Sequence, residues 1–257
     1  MHRRLLLLLM AWLLVAGCSS RTEAPAPAPT SPTSQKVAPL APATNKLLAP
    51  GAIIVTQVSG VVNMTANGTS TSLRVDSAVP QNAKINTAVN SSVALVCSNG
   101  AMIKLGADTE LVVEEFLQDP FGATFRVAEL VVEPSISRIR LALNRGELVG
   151  NVKRLKHDQG SSFTVQSPVG TAGIRGSPAN FRLVFRPSGV GQASFSLSSA
   201  MGSVSFQQPS RGDDGILVPV GQEIAVTVKV TRNAQGKLSV EPAAPVQPKR
   251  VSPAKLP

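Results

Sequence analysis

From residue 52 to about residue 240 the chain alternates short apolar runs with turn signals. Ala52–Val58 is a continuous apolar run and reads as a strand. Gly60–Thr65 and Ser70–Val75 flank Asn67-Gly68, a pair that accepts the positive φ of a two-residue hairpin. Val93–Cys97 and Ala101–Leu105 face each other across Ser98-Asn99-Gly100. Glu110–Glu114 and Phe125–Glu133 are expected as strands on either side of Asp119-Pro120-Phe121-Gly122. Ile136, Ile139, Leu141 and Leu143 fit a strand, although SRIRLALNRG also fits one helical turn ending at Gly146. Glu147–Val152, Ala193–Leu197, Gly202–Gln207, Ile216–Val220 and Glu223–Val230 alternate as strands do. No long stretch repeats at 3.6 residues, so residues 51–240 are expected to form one all-β domain. A turn, a Gly and an alternating strand recur at Gly60-Val61-Val62, Gly146-Glu147-Leu148 and Gly202-Ser203-Val204. Their spacing is irregular, which excludes a strict solenoid period.

Composition changes this picture at the ends. Tyr is absent and the single Trp is Trp12, so the core must be built from aliphatic residues and eight Phe. At the N-terminus Arg3-Arg4 precede the apolar run Leu5–Val15, which is short for a bilayer span and suits a signal peptide over residues 1–17. Val15-Ala16-Gly17-Cys18 resembles a bacterial lipobox, which implies acylation of Cys18 and a chain starting there. The resemblance implies three acyl chains there, more than the two signals that stable anchoring needs. Under that resemblance, Ser19 in place of Asp favours, in a Gram-negative cell, the outer membrane, on its periplasmic face. Residues 18–50 are rich in Ala, Pro, Ser and Thr and read as an extended spacer of up to about 100 Å. Residues 241–257 form a Pro-rich basic tail expected to be disordered. Loss of Arg3 and Arg4 takes the formal charge from +10 to +8. Outside the cytoplasm that charge suits anionic envelope polymers or lipid head groups rather than nucleic acid.

The densest pattern lies at Phe163–Phe185, FTVQSPVGTAGIRGSPANFRLVF. Gly170, Gly173 and Gly176 recur at every third position, which suits bends or close backbone approach. Arg175 is the only charge between Asp158 and Arg182. Its guanidinium is expected to hold backbone carbonyls or a carboxylate, such as Glu110 or Glu129. Phe163, Val165, Pro168, Gly170, Ala172, Ile174, Arg175, Gly176 and Phe181 resemble the signature of the FecR-like domain family. Pro178-Ala179-Asn180 is longer than the family's spacing and implies a bulge or longer turn. The resemblance extends loosely over residues 52–206 and implies a compact β-solenoid-like or sandwich-like roll in the cell envelope. It implies no chemistry.

Candidate chemistry is sparse. His157, in KRLKHDQG, has no second His or thiol to form a metal set, and no metal or cofactor is expected. There is no G-x-S-x-G elbow. Adjacent Glu114 and Glu115 would point to opposite faces of a strand. Glu129 and Glu133 would share a face but sit about 13 Å apart, beyond the roughly 5–9.5 Å of glycosidase pairs. Cys97, in VALVCS, is expected to be a buried, inert thiol with no disulfide partner. Arg211-Gly212-Asp213 lies in a turn-rich loop and is read as a chance match, as are the sequons at Asn63, Asn67 and Asn90.

One basic cluster stands out: Arg138, Arg140, Arg145, Lys153, Arg154 and Lys156, opposed within that span only by Glu147. It reads as a solvated face or as a patch for an anionic ligand. The sequence therefore points to a non-catalytic, lipid-anchored envelope protein that binds a partner or scaffolds, or is accessory to envelope signalling. The alternatives are a component of a secretion or polysaccharide-export assembly and, less favoured, a cell-wall enzyme.

Overall fold

A computed structural model describes residues 48–122, 126–174, 177–188, 191–209, 215–232, 238–241 and 246–251. The expected signal peptide over residues 1–17, Cys18, most of the expected spacer, Arg175, Gly176 and the Arg211-Gly212-Asp213 tripeptide lie outside the described residues.

Eighteen strands are described. They are β1 (Ala49–Pro50), β2 (Ile53–Ser59), β3 (Val62–Ala66), β4 (Thr69–Ser72), β5 (Lys84–Thr87), β6 (Ser92–Cys97), β7 (Met102–Leu105), β8 (Glu110–Gln118) and β9 (Ser137–Val152). They continue as β10 (Ser162–Ser167), β11 (Gly170–Ile174), β12 (Ala179–Ser188), β13 (Gln192–Met201), β14 (Val204–Gln207), β15 (Ile216–Val218), β16 (Gln222–Arg232), β17 (Leu238–Val240) and β18 (Lys249–Arg250). The only described helices are two 3-10 turns, Val127–Glu129 and His157–Gln159.

The expected all-β roll is present, and β9 organises it. Its first half pairs with β8 and β10, and these belong to a layer ordered β4-β3-β5-β8-β9-β10-β11-β14-β15. Its second half pairs with β7 and β12, in a second layer ordered β2-β6-β7-β9-β12-β13-β16. One continuous hydrogen-bonded sheet is thus folded in two along a single strand.

Chain length explains the fold-over. From Arg138 to Val152 a straight strand would span about 46 Å. The connection 153–161 reaches at most about 35 Å, yet it delivers Ser162 beside Arg138 in a parallel ladder. So β9 must bend. The bend is written in its burial. Ser137, Ile139, Leu141 and Leu143 face inward, then Gly146, Leu148, Gly150 and Val152 do, so the phase slips by one at Asn144-Arg145. Gly146 sits there with φ +96, and a Cβ on it would collide with the backbone of Thr109. A non-glycine residue is disfavoured on both counts. The alternative of a helical turn in this stretch is overturned: the segment continues as strand through Gly146.

Phe163 of the first layer meets Phe181 of the second edge to face at 6.2 Å, and Phe195 stacks on Phe206 at 5.0 Å. Six of the eight Phe are fully buried in one core with the aliphatic residues. Asn67 (φ 50) and Gly68 (φ 77) close the expected β3–β4 hairpin. The expected strand at Phe125–Glu133 does not form. Residues 127–129 make a 3-10 turn, and Glu133 is drawn inward by hydrogen bonds. In the 241–257 segment, Lys249 and Arg250 pair with the start of β16.

Candidate functional site

The signature residues form a hairpin. Phe163 pairs with Ile174, Val165 with Ala172 and Ser167 with Gly170, around Pro168-Val169. Ser167 Oγ donates to the Gly170 carbonyl at 2.8 Å, which fixes the turn. A Cβ on Gly170 would meet the Gln207 carbonyl and the Phe206 ring. Phe181 is fully buried against Gly150, where any Cβ would overlap the Phe181 ring. Pro168 and Gly170 therefore serve the turn, and Phe181 serves layer-to-layer packing. At the longer Pro178-Ala179-Asn180 spacing the β12–β13 register shifts between Asn180 and Phe181.

The basic cluster is redistributed in space. Arg138 and Arg140 share the outer face of β9, as strand spacing predicts. Arg140 is not unopposed: its Nε binds Glu114 at 3.0 Å and its NH2 approaches Glu115 at 3.6 Å. The expectation that Glu114 and Glu115 point apart fails because a bulge interrupts β8 between Val113 and Glu115, turning both carboxylates toward one guanidinium. Arg145, at the corner, pairs with Asp108 at 3.3 Å and lies 4.0 Å from Glu110. Arg138 has no ion pair among the described residues. Lys153, Arg154 and Lys156 lie on the crossover after β9, whose Lys156 backbone is tied through Glu133 back to Ser137 at the start of that strand. The Lys156 ammonium donates to the Pro134 carbonyl at 3.0 Å, and Lys153 lies along Gly100.

Glu147 does not oppose that cluster. It accepts from Arg182 Nε at 2.8 Å and from Arg186 NH2 at 3.1 Å, on the outer face of the second layer. The Arg182 hydrogen bond, opposed by partial burial, holds the Glu147 carboxyl below its ordinary value. The same bond keeps Arg182 more firmly protonated. This trio escaped the sequence because its members lie 35 and 39 residues apart.

The other expected acid pair also dissolves. Glu129 faces Arg126 at 3.9 Å on an exposed turn. Glu133 is buried, accepting from Ser137 Oγ at 2.5 Å and from the Lys156 backbone N–H at 2.6 Å, while Asn99 Nδ2 donates to Ser137 Oγ at 3.0 Å. This network ties the crossover to the start of β9. Among the described residues no three His, Cys, Asp or Glu come together as a metal set. Cys97 is completely buried, and burial pushes its thiol up to about 12, so it stays protonated. His157 is exposed, with Nδ1 3.1 Å from the Ser161 carbonyl.

Two crystal structures of a candidate anti-sigma factor from Parabacteroides distasonis ATCC 8503, at 1.65 and 2.50 Å, are similar to this chain at 16% identity, with TM-scores of 0.37 and 0.38. Each match covers 62% of this chain and 59% of the other, so the chain spans about three-fifths of their length. Among curated proteins none matches. The family model described as FecR protein matches residues 83–205, a span that begins beside β5 and ends within β14 and so takes in the whole of β9 and the signature hairpin. The chain carries a FecR domain over those residues.

Proposed function

We propose that this chain is a non-catalytic binding or scaffolding protein of the bacterial cell envelope. Its FecR domain is held on an extended spacer from a lipidated Cys18 at the periplasmic face of the outer membrane. The observation that carries the reading is the FecR domain itself, and envelope signalling, as an accessory, is the role it favours. The carboxylates agree with a binding role. Glu114 with Glu115, Glu147, and Glu133 are each engaged by arginine, hydroxyl or backbone donors, which leaves none of them as a free proton-transfer pair.

The test is crosslinking of intact envelopes followed by capture of the full chain, with Cys18→Ser beside wild type. Wild type is expected to fractionate with outer membrane and to retain a reproducible envelope protein. Cys18→Ser is expected to be released or to keep its leader. A processed, unacylated mutant that still fractionates with membranes overturns the anchor, and a wild-type chain that captures no envelope protein overturns the binding role.

A further inference from the structure

Most tightly packed glycines of this domain are explained by its own core. Gly51 leaves room for the Phe116 ring, Gly150 for the Phe181 ring and Gly170 for the Gln207 carbonyl. Gly173 is different. It lies mid-strand in β11 outside the left-handed region, and a Cβ there would meet only the Ser205 hydroxyl at 3.0 Å and the Thr164 methyl at 4.0 Å. That hydroxyl donates to the Gly173 carbonyl at 3.0 Å, so a side chain here would have to displace it, but would meet no ring and no backbone atom. Gly173 stands in an outer-face row running Arg140, Thr164, Gly173, Ser205, Leu217 across five neighbouring strands. A glycine inside a strand with neither a bulge nor a bend to account for it is a place where a ligand can approach the backbone closely.

That place is a cleft of about 390 Å³, lined among others by His157, Ser162, Thr164, Thr171, Gly173 and Ser205. The volume falls within the range of small-molecule sites. Four of its lining residues carry a hydroxyl, and those of Thr164 and Ser205 already donate to the Ile139 and Gly173 carbonyls. Ser162 and Thr171 form no side-chain hydrogen bond among the described residues, so their hydroxyls are available. A carbonyl can only accept, so the His157 contact to Ser161 places the proton on Nδ1 and leaves Nε2 free. Arg138 does not line the cleft but pairs in register with Ser162, which does; it is exposed and has no ion pair among the described residues. Its neighbour Arg140 is neutralised by Glu114 and Glu115. An unshared guanidinium beside free hydroxyls suits a ligand with one oxyanion and several hydroxyl groups. The chain has no Tyr, no Trp lines the cleft, and the one lining aromatic, Phe163, is buried in the core, so no exposed ring is there for a sugar to stack on. The anionic group must then supply much of the affinity.

We infer that the cleft over Gly173 is a binding site for a phosphorylated sugar, with the phosphate on Arg138 and the sugar hydroxyls on Ser162, Thr171 and His157. The site is independent of the lipid anchor and of any protein partner. The ligand's source is either a soluble sugar phosphate or the head group of a phosphorylated glycolipid.

The experiment uses the full chain in detergent. Calorimetric titrations with glucose 1-phosphate, inorganic phosphate and glucose are run beside sedimentation with phosphatidylcholine vesicles, with and without a monophosphorylated disaccharide lipid. Glucose 1-phosphate is expected to bind at least about tenfold more tightly than either fragment, a difference of about 1.4 kcal/mol. Gly173→Thr fills the cleft and is expected to abolish that binding while the chain stays folded. Thr171→Val should weaken it severalfold, and Arg138→Gln should weaken it and flatten its salt dependence. Tighter capture on the glycolipid vesicles, lost in Gly173→Thr, assigns the source to lipid, whereas binding of the soluble probe alone assigns it to free sugar phosphate. If Gly173→Thr lowers the melting temperature, Thr171→Val decides the matter. Absence of binding to every probe, or binding that survives both cleft substitutions, overturns the site.

Discussion

The two halves of β9 make a natural comparison. They are one strand, yet they carry opposite charge on their outer faces. In the first half β9 supplies the arginine, and its neighbour β8 supplies Glu114 and Glu115. In the second half β9 supplies the carboxylate, Glu147, and its neighbour β12 supplies Arg182 and Arg186. The first half has a parallel neighbour on one side; the second is antiparallel on both. Each half is matched to its own layer, and the corner at Arg145-Gly146 lets one strand serve both. Charge in this domain belongs to cross-strand rows as much as to stretches of sequence, which is why Arg140 and Arg145 of the six-residue basic cluster are not unopposed.

The most damaging change should strike what the halves share. Phe181→Ala removes a ring that packs on Gly150 of β9 and meets Phe163 across the layers. It is expected to cost about 3–5 kcal/mol, read by urea denaturation as a lower midpoint with an unchanged slope. Gly146→Ala strikes the corner. Left-handed strain and the collision with Thr109 together predict a loss on the order of 2 kcal/mol or more, and a melt as stable as wild type would mean the corner relaxes at no cost.

The charge inversion gives the smaller effects. Glu147→Gln should cost about 1 kcal/mol, since Glu147 is partly buried and serves two arginines. Arg140→Gln should cost no more than about 0.5 kcal/mol, because Arg140 is half exposed and screened. Equal losses in the two halves would erase the comparison. Glu147 also predicts a pH dependence. Its folded pKa is depressed, so the native state binds fewer protons than the unfolded state once pH drops toward the ordinary carboxylate value of about 4.3. The stability it contributes is present above that value and is lost as pH falls through the lower folded value. Acid titration of stability in Glu147→Gln should lack that share of the slope.

By itself the sequence determined the all-β class, the Asn67-Gly68 hairpin, the Phe-rich core, the buried thiol of Cys97 and the FecR signature. Each follows from local chemistry: period-two alternation, residues that accept positive φ, or an apolar strand around a thiol. Two further features were legible as breaks in alternation. Leu111 and Val113 face inward, then Phe116 does, and the slip lies at Glu114-Glu115; Leu143 and Leu148 bracket the corner in the same way. Only the tertiary structure decided which carboxylate meets which arginine, that Phe125–Glu133 would not be a strand, and that Gly173 would lie open on a cleft instead of beneath a ring. The physical reason is pairing distance. Glu147 and Arg182 meet because β9 and β12 lie side by side, a contact set by register between strands 35 residues apart, to which local pattern is blind.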